Sequence, residues 1–128
     1  MDERELIQLA ISNSEQAHAP YSNHPVGAAL VSVDGRVFSG CNVESASFPA
    51  GICAERGALA SAVVAGATSF VEIFIATPKG GSPCGVCRQA LYEFSPSMRV
   101  VCVDFSGTMY IDATLNELLP FGFRGEDL

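Results

Sequence analysis

The sequence predicts an α/β protein, a three-layer α/β/α sandwich with a five-stranded mixed sheet. Three observations predict it. Helical and strand-like segments follow one another in the order α-β-β-α-β-α-β-β-α. Asp34-Gly35 stands between two strand-like runs and signals a two-residue hairpin. Beyond that hairpin, helices alternate with the remaining strands, which makes the sheet mixed and covers it.

Residues 3–17 read as the first helix, with Leu6, Leu9, Ala10 and Ala17 on its buried face and Pro20 ending it. Val26–Val33 is a strand, and Arg36–Cys41 returns as its partner. A polar loop runs from Asn42 to Gly51. Helix two runs from about Ile52 to Val64, with Gly66 near its end. Its Ala54, Ala58, Ala62, Leu59 and Val63 positions allow close packing. Val71–Ala76 is the third strand, and the loop 78–83 leads to a helix from Cys84 to about Phe94. Arg99–Asp104 and Met109–Ile111 are the last strands, joined by a turn at Ser106-Gly107. Thr114 caps a short helix that continues to Leu119 and is broken by Pro120.

A chain of 128 residues fits one domain, spanning 1–128, and buries enough surface to fold without disulfides. Its composition, 48% hydrophobic and 16% charged, excludes disorder and suggests that part of the surface is covered in an oligomer. The net charge of −7, with Lys79 the only lysine, excludes nucleic acid as the expected partner, because binding it relies on cations that neutralise phosphates. The longest apolar run, Ala58–Ala67, is too short to span a bilayer, so no membrane partner is expected. An odd number of cysteines, five, and a charged start without a signal peptide point to reduced thiols and a cytoplasmic location.

The chemistry concentrates in Cys53-Ala54-Glu55 and Pro83-Cys84-Gly85-Val86-Cys87. Cys53, Cys84 and Cys87 offer three soft ligands for one Zn²⁺ per chain. Three protein ligands leave a tetrahedral zinc one open position, and Glu55 beside the first ligand can move protons. Both ligand groups fall at predicted helix starts, where the partial positive charge favours thiolates. Other readings of these cysteines are a redox Cys-x-x-Cys, which leaves Cys53 and Glu55 unexplained, a closed structural site completed by Cys41 or Cys102, and Cys53 as a small buried hydrophobe. Three thiolates outweigh the charge of one zinc ion, and Arg56 on the same helix is placed to offset them by hydrogen-bonding to the sulfurs.

These residues resemble the zinc deaminases that act on bases, whose pattern is a ligand-x-Glu followed by Pro-Cys-x-x-Cys. With cysteine as the first ligand, the chain is similar to the small, homotetrameric, three-cysteine cytidine deaminases over nearly its whole length. The carrying segments are Tyr21–Leu30, Gly40–Ser47, Cys53–Arg56, Pro83–Gln89, and Leu118-Leu119-Pro120 with Phe123 and Glu126–Leu128. The resemblance implies zinc bound by Cys53, Cys84 and Cys87, and Glu55 as the proton shuttle to ring N3 and to the departing amine. It implies Asn42 and Glu44 on the ribose 3′-hydroxyl, the backbone of Ala54 and Ser82 on the pyrimidine edge, and Phe123 packing on a neighbouring subunit's ligand in a homotetramer with shared active sites. Asn42 and Glu44 would otherwise be ordinary loop residues, although a carboxylate acceptor does suit sugar hydroxyls.

This sequence departs from the family pattern at three places. His24 stands where an aromatic Phe is usual near the base, adding a donor and a possible charge. Phe121 replaces a small residue, and the loop Phe48–Ile52 differs from the common form. The resemblance implies zinc-dependent conversion of cytidine and deoxycytidine to uridine and deoxyuridine in pyrimidine salvage. The rivals are a deaminase of the same fold for a modified cytidine, an antibiotic nucleoside or another aminopyrimidine, and a non-catalytic zinc-stabilised binding domain.

Overall fold

The computed structural model describes all residues, Met1–Leu128. Its elements are α1 (Glu3–Ser14), β1 (Gly27–Ser32), β2 (Val37–Cys41), α2 (Ala54–Val64), β3 (Phe70–Ala76), α3 (Gly85–Tyr92), β4 (Arg99–Val103), β5 (Met109–Thr114) and α4 (Leu115–Leu118). One five-stranded sheet has the order β2-β1-β3-β4-β5; β3 and β4 are parallel and the other neighbours antiparallel. This is the expected mixed sheet.

The pleat divides the apolar residues between two cores. Ala29, Val31, Phe74, Ala76, Val101 and Val103 face α1, which contributes Leu6 and Ala10. Ala28, Leu30, Ile73, Ile75, Val100 and Cys102 face the other way and meet α2, α3 and α4 through Ala54, Ala58, Ala62, Leu91 and Leu115. Helices therefore cover both faces, giving the three layers.

Several boundaries differ from the sequence expectation for identifiable reasons. α1 opens on an Asp2–Glu5 capping box but stops at Ser14, short of Ala17. His18 leaves the helical path because its N–H donates to the Asn42 carbonyl and its own carbonyl accepts from Glu44, forming a bridge beside Val43. The β1–β2 connection is longer than two residues: Gly35, at φ 87°, donates to Ser32, and Ser32 donates to the Arg36 carbonyl. Ile52 bridges to Val43, so α2 begins at Ala54. β5 extends to Thr114, which caps α4 with Glu117. The Ala54, Ala58 and Ala62 stripe of α2 is wholly buried against this chain's own sheet, while Val63 faces outward.

Candidate active site

Two helix N-termini meet at the ends of the central strands. Cys53 is the N-cap of α2 and Cys84 the N-cap of α3, with Cys87 in the first turn of α3. The Sγ atoms of Cys53, Cys84 and Cys87 lie within 4.8 Å of one another. The Cys53 and Cys84 sulfurs are 4.0 Å apart. A tetrahedral zinc with bonds of about 2.3 Å would set sulfurs about 3.8 Å apart, so the trio needs little movement to close on an ion. Cys41 and Cys102 stand outside this group. Burial pushes the Cys102 thiol up to about 12, as suits an inert core residue.

The electrostatics of the trio also fit a cation. A hydrogen bond shared with Cys87 holds Cys53 low, at about 5, and Arg56 and Cys84 act in the same direction. The same shared proton, together with burial and the charge of Glu55, pushes Cys87 up. Arg56 Nη2 donates to Cys53 Sγ at 3.6 Å, and its Nε is buried with no partner. An unsatisfied donor beside sulfurs suits a fully ionised thiolate set. The residues present thus fit one zinc.

Glu55 is 4% exposed. Burial raises its pKa first, and the negative charge of Cys53 adds to this. A carboxyl group raised in this way is a stronger proton acceptor than an exposed one.

Cys53, Cys84 and Glu55 open on a cavity of about 530 Å³, whereas Cys87 is buried outside its lining. His24, Asn42, Glu44, Cys53, Ala54, Glu55, Ser82 and Cys84 all line it, which brings together most of the residues singled out in the sequence. Asn42 also braces the cavity wall. Its Oδ1 accepts from Val26 N at 2.9 Å and its Nδ2 donates to the His24 carbonyl at 2.9 Å. Glu44 accepts from Tyr21 N at 3.0 Å, from Ser22 N at 3.1 Å and from the Ser22 hydroxyl. Each side chain keeps hydrogen-bonding capacity to spare for a ligand. Together they lace residues 21–26 to the end of β2 and fix the backbone on which His24 sits.

Phe123 is not brought to this cavity. Its ring borders an outer groove with Leu59, Val86, Ala90 and Phe94, and its carbonyl accepts from Gln89 Nε2 at 2.6 Å. Phe121 is fully exposed at φ 57°. Sequence reading missed Ser22 and Thr77, both in the cavity wall. Ser22 had one local signal: Asn23, at φ 55°, is a residue type that tolerates the left-handed turn placing Ser22 against Glu44.

Residues 1–104 match the family described as the cytidine and deoxycytidylate deaminase zinc-binding region. A cytidine deaminase of Sporosarcina psychrophila is 41% identical, covering 100% of this chain and 96% of that protein. One of Halalkalibacterium halodurans is 40% identical, covering 100% and 98%. The crystal structure of cytidine deaminase from Burkholderia pseudomallei superposes with a TM-score of 0.90 at 44% identity, covering 96% of this chain and 100% of that one. The α/β/α fold and its trithiolate centre are those of a zinc deaminase. The chain belongs to the cytidine deaminase family.

Proposed function

We propose that this protein hydrolyses cytidine and deoxycytidine to uridine and deoxyuridine, consuming water and releasing ammonia. The observation that carries the reading is a buried Glu55 adjoining three clustered cysteines at a cavity whose other wall presents Asn42 and Glu44. The relatives described above carry the name cytidine deaminase.

Cys53, Cys84 and Cys87 would hold zinc, which when bound supplies a Lewis acid that makes water nucleophilic at neutral pH. Glu55 takes one proton from the water that attacks C4 and delivers it to N3; it then takes the second proton from the new C4 hydroxyl and gives it to the amine, so that the C4–N bond breaks, ammonia leaves and the C4 carbonyl forms. Ala54 and Ser82 meet the pyrimidine edge through their backbones; the Ala54 N–H, first in its helix, has no intrahelical acceptor. Asn42 and Glu44 receive the ribose, and His24 lies beside the base. Arg56 tempers the negative charge of the sulfurs.

The 128 residues act as one domain, in a homotetramer with shared sites, in cytoplasmic pyrimidine salvage. Support for assembly comes from the outer groove formed by Leu59, Val86, Ala90, Phe94 and Phe123, and from the exposed Val64 and Phe121. The Ala stripe of α2 gives none, being buried within the chain. Phe123 lies outside its own cavity, which suits a residue that serves a neighbour. No helix is long and apolar enough to cross a membrane.

The test is the loss of cytidine absorbance with zinc-quantified protein, with deoxycytidine and free cytosine in parallel. Turnover of nucleosides but not of the base supports the reading; no turnover at one zinc per chain contradicts it. A preference for a modified pyrimidine is the second reading, favoured by the His24 ring in the cavity wall. Equal selectivity of His24→Phe and the unaltered protein would end it.

A further inference from the structure

The structure assigns Arg88 a positioning role: its guanidinium holds the loop that presents Ser82 to the cavity and ties that loop to the C-terminal segment. This rests on the deaminase reading and adds a residue to it.

Arg88 follows the ligand Cys87 on α3. Its three nitrogens donate in three directions: Nε to the Pro83 carbonyl at 2.8 Å, Nη2 to the Ser82 hydroxyl at 2.8 Å, and Nη1 to the Leu118 carbonyl at 2.6 Å. None of its partners is a carboxylate, and it takes part in none of the four ion pairs. The group therefore acts through the fixed fork of its donors and not through charge pairing.

The loop needs such a clamp. Its first half is held from just beyond β3, where Thr77 Oγ1 accepts from Gly81 N at 2.8 Å. Beyond Gly81, Ser82 is exposed and Pro83 has no N–H to donate. Arg88 grips both residues immediately before the ligand Cys84. The neighbouring Gln89 donates to the Phe123 carbonyl, so the second turn of α3 holds two carbonyls of the C-terminal segment as well. Ser82, two metal ligands and the segment carrying Phe123 are thus referred to one helix.

Arg88→Lys keeps the charge but loses the fork. We expect kcat/KM for cytidine to fall about 10- to 100-fold, mainly through a higher KM, with zinc content unchanged, because small misplacements of a substrate-contacting group carry penalties of that size. In a Ser82→Ala background the same substitution costs several-fold less, because one of the clamped groups is already gone. Ser82→Ala alone, which threatens the fold least, raises KM in the same direction. An Arg88→Lys enzyme with unaltered kinetics, equal penalties in both backgrounds, or an unchanged KM in Ser82→Ala would overturn the role of Arg88 while the unaltered protein still turned over cytidine. A zinc-loaded unaltered protein inert toward every nucleoside would overturn both this role and the deaminase reading.

Discussion

Gly40 of β2 lies so close beneath the first turns of α2 that a methyl group on it would stand 2.1 Å from the Ala54 carbonyl oxygen. The same methyl would be 2.6 Å from Ala58 N. The absence of a side chain here lets the helix that carries Cys53 and Glu55 settle onto the sheet. Gly40→Ala is expected to lower stability by about 1–3 kcal/mol or more through overpacking. It should also reduce zinc occupancy, because α2 must lift. Thermal unfolding and metal analysis of the variant check both; wild-type values would remove the argument.

Gly80 sits at φ 72° under the Tyr110 ring, where a Cβ would meet a ring carbon at 2.2 Å. Tyr110 is held in turn by its hydroxyl bond to Asp104 at 3.1 Å. Gly80→Ala combines backbone strain with a clash at the loop leading to Cys84. It should weaken activity more than Tyr110→Phe, which loses only an exposed hydrogen bond that water can replace. Comparing kcat/KM of the two variants tests the order.

Arg56→Ala should leave the fold intact and lower kcat, because the sulfurs then keep more negative charge. Circular dichroism with steady-state kinetics reads the two effects separately. An unchanged rate would remove Arg56 from the chemistry.

Arg99 donates to Asp112 at 2.8 and 2.9 Å and to Glu3 at 2.6 Å. The Asp112 carboxyl is held below the usual range by its hydrogen bonds from Arg99. Asp34, Glu44, Asp104 and Glu117 are also lowered by hydrogen bonds. A folded value below the unfolded one contributes stability that is present above the unfolded value and lost as pH falls through the folded one. Stability should therefore fall on acidification below about pH 4. Asp112→Asn should flatten that limb slightly, since the pair is exposed and screened. Unfolding midpoints from about pH 6 to about pH 3 for both proteins decide it.

The cluster of Cys53, Cys84 and Cys87 was legible because its meaning is local. A Cys-x-Glu and a Pro-Cys-x-x-Cys at helix starts need only α2 and α3 to converge, and the order of elements brings them together. The sheet was legible for the same reason, from alternation and helix-period segments. The bracing roles of Asn42 and Glu44 were not, because their partners at residues 21–26 lie some twenty positions away and are chosen by tertiary structure. The end of α1 was not legible either, because the bridge of His18 to Val43 competes with another helical turn. The Ala stripe of α2 reads equally well as a subunit contact or as a sheet contact, and only the proximity of Gly40 decides for the sheet. The threefold grip of Arg88 depends on Leu118, thirty residues on.

The most direct test of the central claim is cytidine turnover by Glu55→Ala loaded with zinc. Glu55 is no ligand of the proposed centre, so the variant should keep one zinc per chain and a wild-type fold while kcat falls by several orders of magnitude. Turnover near that of the unaltered protein, with zinc in place, would contradict the account, because the buried carboxyl would then not carry the proton.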